Sequence, residues 1–478
     1  MNLRSHPFAV VLLALLAAAI LAAPRARAEA PVPLADDPAL ARLVEESLAA
    51  RPEVKAAAAR VRIARERVPQ AGALPDPVLS LGIQNDGFRS IEIGKMETSF
   101  WSIGAAQTLP WPGKRGLRTD VADLAVREAD ASLARARLSA EADVRRAYLD
   151  LLLVRDRLAL LVRLEMVWER SEGVARGRYE SGEAAQTDLL RAQLERTRLR
   201  QRRVGLEAEE RARRAEVNRL RGRPAGDPVE TAPSLAQIAD PALPAVDAAV
   251  AYAEERSPEL AGARVGQVRA ARQVDLARRE RFPDVTLSAG VMPRGALEPM
   301  WQAGISIPIP LFSGRKQGRA VAERAADAEA NRADAEAAAE VVRLRAIERY
   351  EALAAALDTL KLFRGGLLVQ SRATAQSALA QYGVGRVPFT TVLEAVAGNV
   401  SDEDAFLSAA ADAQKLAVAM AEVSVDATFP GVVSAGGMAG GGVSSAATKS
   451  GGRGGAAAAA GAAAAGGGST SSSMGGGM

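Results

Sequence analysis

FWSIGAAQTLPWPGKR, residues 100–115, returns as MWQAGISIPIPLFSGR, residues 300–315, and this echo decides how the chain is read. In each copy an alternating run ends at a proline (Pro110, Pro310), passes a glycine with basic neighbours (Gly113-Lys114-Arg115, Gly314-Arg315-Lys316), and opens a long polar segment rich in Ala and Arg. A period of two that gives way to a proline-free polar run predicts a strand feeding a long helix. Other landmarks repeat in the same order. Arg51-Pro52-Glu53-Val54 answers Ser257-Pro258-Glu259-Leu260, Leu74-Pro75-Asp76 answers Phe282-Pro283-Asp284, and Tyr148 answers Tyr350. Tyr179-x-x-Gly182 with Thr187 and Leu190 answers Tyr382-x-x-Gly385 with Thr390 and Leu393.

Working outward, residues 78–84 alternate Leu79, Leu81 and Ile83 with Ser80, Gly82 and Gln84, and residues 99–109 place Trp101, Ile103 and Ala105 against Ser102, Gly104 and Ala106. The second pair, 284–292 and 300–310, sets Val285, Leu287, Ala289 and Val291 against Thr286, Ser288 and Gly290, and Trp301, Ala303, Ile305, Ile307 and Ile309 against Gln302, Gly304 and Ser306. Each pair predicts a hairpin with one apolar face and one small or polar face. Strands of about 9 to 11 residues have the length to cross an outer membrane at a tilt, with Trp near the water boundary. A soluble hairpin packed on a core is the alternative. Four strands cannot close a barrel, so the membrane reading requires several chains to pool them.

Residues 114–177 and 315–381 contain no proline, and at ~1.5 Å per residue each predicts a helix close to ~100 Å long. Apolar side chains at Val144, Tyr148, Leu151, Leu158 and Val162, and at Ile347, Tyr350, Ala354 and Leu357, keep spacings that suit helix-on-helix packing. After each Tyr-x-x-Gly turn a shorter helix is predicted, over 187–221 and 390–424. Residues 39–68, interrupted at Pro52 and ended at Pro69, and residues 246–281 supply further short helices, so one long helix is matched by two stacked short ones. The domain plan is therefore a first repeat over 39–221, a Pro- and Ala-rich connector over 222–244, and a second repeat over 245–429. Arg4, an apolar run over 8–23 and Ala26-Arg27-Ala28 make residues 1–28 a secretory signal peptide. Residues 431–478 are Gly, Ala and Ser with few charges, the composition of a disordered tail.

Composition excludes much chemistry. The only histidine, His6, lies in the leader, and cysteine is absent, which removes His acid/base catalysis, Cys nucleophiles, thiolate metal sites and disulfides together. The chain carries 61 Lys and Arg against 57 Asp and Glu, and the leader takes three of the arginines, leaving a near-neutral balance. Arg196, Arg198, Arg200, Arg202 and Arg203, with Arg211, Arg213 and Arg214, are interleaved with Glu195, Glu207, Glu209 and Glu210 and have no aromatic neighbours, the pattern of a solvated helix face and not of a nucleic-acid surface. No later segment has about 18 uninterrupted apolar residues. Nothing resembles a nucleophile elbow. No catalytic residue, cofactor site or resident metal site is expected, and the chain is not read as an enzyme.

Taken together, the duplication, the hairpin followed by a long helix, Pro110-Trp111-Pro112-Gly113-Lys114-Arg115 after the second strand and Tyr-x-x-Gly at each turn resemble the TolC family of outer-membrane efflux proteins over about residues 39–429. The resemblance implies a mainly α fold with a small transmembrane β part: a homotrimer pooling its hairpins into a twelve-stranded β-barrel set in outer-membrane lipid and continued by a periplasmic α-helical barrel. It implies a passive exit duct joined through a periplasmic adaptor (membrane fusion protein) to an inner-membrane pump of the RND type. The junction Trp111 to Arg115 resembles the heavy-metal efflux branch. The lack of His and Cys stands against a copper or silver cargo; Met96, Met292 and Met300, with Met438, Met474 and Met478 of the tail, offer soft thioethers, although scattered methionine is ordinarily filler.

Gly182 and Gly385 suit helix C-termini, where a positive φ is needed, and the resemblance places these turns, with Tyr179, Thr187 and Thr390, at the periplasmic tip where an adaptor docks. Asp188 falls on the family's tunnel-entrance aspartate and Tyr382 on its gate tyrosine. The gate arginine aligns on Val387, with Arg386 one place early. Capping of the returning helix is the other reading of Asp188. A duct for drugs or for type I protein secretion, and a periplasmic coiled-coil adaptor or scaffold, are the competing functions.

Overall fold

Pro38, Pro52 and Pro258 each sit at the first position of a helix, where a missing N–H costs nothing. A computed structural model describes residues 33–425; the leader (1–28) and the tail (431–478) lie outside the described residues. Helix α1 (Pro38–Ala50) is capped by Asp37, which accepts from the Ala39 N–H at 2.9 Å. Helix α2 (Pro52–Gly72) follows after the single residue Arg51. In the second repeat Ser257 plays the same part, separating α5 (Val246–Arg256) from α6 (Pro258–Arg279) and accepting from the Leu260 N–H at 3.3 Å. Helix α2 does not stop at Pro69, as the proline predicts, but runs on to Gly72. In the last turn a proline forfeits one backbone bond only, and Arg115 donates to the Gly72 carbonyl at 2.7 Å.

Strands β1 (Val78–Gln84), β2 (Phe100–Leu109), β3 (Val285–Arg294) and β4 (Leu297–Ser306) form one antiparallel sheet in the order β1-β2-β3-β4. The two hairpins are thus joined edge to edge by β2 and β3. Gly295, at φ +64°, and Ala296 make a two-residue turn between β3 and β4, so both strands reach further into the turn than the alternation over 284–292 and 300–310 predicts. At its other end β4 stops at Ser306 and not at 310, because Pro308 and Pro310 have no N–H to give a ladder.

Helix α3 (Lys114–Glu180) is 67 residues without a break. Its counterpart is interrupted: α7 (Gln317–Leu362) gives way to a π-helical segment, Phe363–Leu367, before α8 (Leu368–Gly383). The sequence there is Phe-Arg-Gly-Gly-Leu, and two consecutive glycines lower the cost of a wider turn. The short helices α4 (Gln186–Leu220) and α9 (Phe389–Glu422) return along the long ones.

Helix α3 is the spine. Its first half meets α2 and α6, with Asp130 paired to Arg65 at 3.6 Å and Glu128 to Arg269 at 3.0 Å. Its second half meets α4 and α9, with Arg155 paired to Glu210 at 3.1 Å and Arg157 to Asp404 at 2.7 Å. Between the halves Tyr148 is fully buried; its hydroxyl donates to Asp37 and accepts from the Ala232 N–H at 2.7 Å. The connector packs on this point and is not a loose linker: Val229, Leu235 and Ile238 are buried, Arg155 donates to the Val229 carbonyl at 2.9 Å, and Asp156 accepts from the Leu235 N–H at 2.8 Å.

Candidate functional site

The two Tyr-x-x-Gly turns close in the same way. Gly182 and Gly385 donate their N–H to the carbonyls of Tyr179 and Tyr382, each at 3.0 Å, and the following N–H groups of Glu183 and Arg386 reach back to Arg178 and Gln381, each at 2.8 Å. Both glycines are left-handed, at φ +78° and +74°. A side chain there would be strained, and at Gly385 its Cβ would also stand 2.9 Å from Arg178 Nη2.

Beyond the turns the repeats diverge. Tyr382 is 2% exposed and Tyr179 42%. The Tyr382 ring packs edge-on against Phe389 at 5.1 Å, and Phe389 in turn against Trp168 at 6.3 Å. The Tyr382 hydroxyl donates to Asp188 at 3.3 Å, bringing the end of α8 to the start of α4. Asp188 also lies in the first turn of α4, where its charge suits the helix dipole, but the N-cap position is Ala185 and no side chain caps it. Thr187 and Thr390 are exposed.

Arg386 is exposed and makes no ion pair among the described residues. The guanidinium of the cluster is Arg178. It lies 4.9 Å from the centre of the Tyr382 ring, donates to the Tyr382 carbonyl at 2.5 Å and to the Glu183 carbonyl at 3.3 Å, and pairs with the Glu183 carboxylate at 3.7 Å. Sequence reasoning missed it. The available signal was its place in the last turn of α3, where a basic side chain can reach orphan carbonyls. Burial and the Asp188 carboxylate, opposed by Arg178, push the Tyr382 phenol up to about 12, so at neutral pH it is a proton donor.

The sheet has two unlike faces. Directly opposed residues of antiparallel strands share a face. Leu81 stands opposite Ile103, Ile103 opposite Val291, and Leu287 opposite Ile305, so the apolar residues of all four strands line one side. Trp101 and Trp301 are on it too, opposite Ile83 and Val291. The other side carries Ser80, Gly104, Gly290 and Gln302 and their neighbours. Leu81 is 73% exposed and Ile305 71%; among the described residues nothing covers the apolar side. Among the described residues no helix is long and apolar enough to cross a membrane.

The sequence profile of outer membrane efflux proteins matches residues 43–223 and 250–425. The chain belongs to this family. It is an efflux protein of the outer membrane and not an enzyme. The nickel and cobalt resistance protein CnrC of Cupriavidus metallidurans is 26% identical over 317 residues, which are 66% of this chain and 74% of CnrC. The fold is similar to that of the outer-membrane channel OprN (TM-score 0.67, 22% identity, 81% of this chain and 90% of that one) and of CusC (TM-score 0.68, 16% identity, 81% and 92%).

In this efflux protein the two strand-to-helix junctions also differ. After Pro110, Gly113 takes φ +90° and is the N-cap of α3, letting the buried Lys114 turn back toward Asp284. After Pro310, Gly314 has no left-handed φ, and the helix starts only at Gln317.

Proposed function

We propose that the chain is the outer-membrane exit duct of a tripartite efflux system. As a homotrimer it pools its sheets into a twelve-stranded barrel that continues into a periplasmic helical barrel. The observation that carries this reading is the sheet: four strands with one continuous, uncovered apolar face and one small and polar face. In water such a face would be an aggregation hazard; against lipid it is at home. A periplasmic adaptor or scaffold has no use for it.

The helix tips supply the other end of the duct. Tyr382, Asp188 and Arg178 hold neighbouring tips together by hydrogen bonds to charged or buried groups, the kind of contact that narrows an opening until something pulls it apart. The exposed Tyr179, Thr187 and Thr390 flank the turns as the surface offered to a periplasmic adaptor, which links the duct to an inner-membrane pump of the RND type. Metal cations are the proposed cargo, on the similarity to CnrC. The test is a strain lacking the chain, with and without its restoration, challenged with copper, silver, zinc, cobalt, nickel and several antibiotics. Sensitivity to metals alone is the expected result; sensitivity to antibiotics alone would overturn the cargo and leave the duct.

A further inference from the structure

The contact that joins the first repeat to the second beneath the sheet has a counterpart left open at the chain's two outer edges. Where β2 turns into α3, the ring of Trp111 stacks on Phe282 with centroids 5.3 Å apart. The Trp111 N–H donates to Asp284 at 2.9 Å, and the buried Lys114 ammonium donates to the same oxygen and to the Phe282 carbonyl, both at 2.7 Å. This latch ties the foot of β2 to the foot of β3.

The duplication identifies the equivalent residues. Counted from the glycines of the two junctions, Gly113 and Gly314, Phe312 answers Trp111 and Arg315 answers Lys114; in each pair the later N–H donates to the earlier carbonyl, Lys114 to Trp111 at 3.1 Å and Arg315 to Phe312 at 3.0 Å. On the other side Leu74-Pro75-Asp76 answers Phe282-Pro283-Asp284. The strands themselves are matched by Ser80 and Ser288, which donate to the carbonyls of Gly104 and Gly304 at 3.2 and 3.3 Å. Yet Phe312 is 73% exposed, Leu74 44%, and Arg315 and Asp76 are exposed as well. Phe312 and Arg315 stand at the foot of β4, Leu74 and Asp76 at the foot of β1, and β1 and β4 are the two edges of the sheet. An aromatic ring and a cation at one edge face an apolar side chain and a carboxylate at the other. A chain holding the two halves of a contact it also makes internally can complete it only with another copy.

We infer that a second copy seats its β1 against β4, with Arg315 paired to Asp76 of the neighbouring copy and Phe312 packed on its Leu74. The register follows from β2 and β3, where Ala106 stands opposite Ser288 and Ala105 opposite Ala289. Exchanging each residue for its equivalent puts Ser306 opposite Ser80 and Ile305 opposite Leu81 of the neighbouring copy. Ile305 and Leu81 then meet on the apolar side, as the alternation demands. This inference rests on the pooled-barrel reading and adds to it the contact and the register.

The absence of cysteine makes the test clean. Within one chain Ser80 and Ser306 lie at opposite edges, three strand spacings (roughly 14 Å) across the sheet and four residues (roughly 13 Å) along it, well beyond the ~7 Å a disulfide can span. Ser80→Cys with Ser306→Cys in the full chain should therefore oxidise to covalent multimers up to a trimer, and Val78→Cys with Ser306→Cys, two residues out of register, far less. In a second set, Asp76→Arg and Arg315→Asp should each lower the fraction of SDS-resistant multimer several-fold, and the two together should restore it. Multimers that link preferentially through the Val78 pair overturn the register, and charge exchange without rescue overturns the latch. A protein that light scattering finds monomeric in detergent overturns the pooled barrel itself.

Discussion

Tyr382 and Tyr179 occupy the same place in two copies of one motif, and only their surroundings separate them. Tyr382 finds Phe389, Asp188 and Arg178; Tyr179 remains exposed. A long hydrogen bond to a carboxylate contributes about 1 kcal/mol, which in the proposed gate would bias an opening without locking it. Tyr382→Phe, which keeps the ring packing and removes the donor, should raise the single-channel conductance of the reconstituted protein. Arg178→Ala should raise it further, because that side chain also holds the α8 carbonyl. Asp188→Ala should alter both conductance and cation preference, and if neither moves, only its place in the helix dipole remains. The phenol's raised pKa has a sign. The stability it represents is complete below the ordinary tyrosine value near ~10 and is lost as pH climbs through about 12, so the phenol keeps its proton for the Asp188 hydrogen bond across the neutral range. An ultraviolet titration of Tyr382→Phe should lack one phenolate appearing near pH 12. At this scale the sequence disclosed the turn but not the cluster. Tyr-x-x-Gly could be read from local spacing, and Asp188 and Tyr382 from the family resemblance, whereas the arginine depends on which long helix ends beside which. Arg386 sits near Tyr382 in sequence, and Arg178 sits near it in space.

Elements were legible where a local rule and the packing agree. The alternation of the strands and the interruption at Pro52 are of that kind; the matching break at Pro258 within 246–281 is shown by the structure. Misreadings arose where a breaker met a context that tolerates it, as at Pro69, or where a glycine pair changed the pitch of a helix without ending it. The π segment is the instructive case. Arg364 within it pairs with Asp240 of the connector at 2.9 Å and lies 5.4 Å from the Phe406 ring, and Phe363 packs edge-on against that ring at 6.1 Å. A wider turn rotates the following helix relative to the preceding one, and here it aims Arg364 at the connector. Gly365 is exposed with nothing within 4 Å of a Cβ placed on it. Gly365→Ala should therefore stabilise the helix by about 0.5 to 1 kcal/mol, seen as a higher melting temperature. If efflux falls while stability rises, the irregular turn serves transport. If efflux is unchanged, it only accommodates the connector.

The whole molecule is a duplication whose two halves have specialised: Tyr382 of the second is buried where Tyr179 of the first is exposed, and the latch that joins the halves has its counterparts exposed at the two outer edges of the sheet. What such a duct does with its cargo follows from chemistry it lacks as much as from what it has. In the proposed barrel the outward-leading path is lined by the Ser, Thr, Gly and Gln of the sheet's polar face, and the described residues contain no group of three or more His, Cys, Asp or Glu arranged to hold a metal ion. A duct must let its cargo leave, so weak contact is a requirement and not a defect. Equilibrium dialysis of the purified full chain against micromolar nickel, cobalt or copper should accordingly retain well under one ion per chain, even if the strain lacking the chain is metal-sensitive. Stoichiometric retention would mean that the chain selects its ion by binding it. The thioethers to substitute would then be Met292 and Met300, which stand directly opposite each other across β3 and β4, since soft sulfur ligands would favour copper in its reduced state over nickel or cobalt. The retained ion would thus separate selection by the duct from selection upstream, which a growth phenotype alone leaves merged.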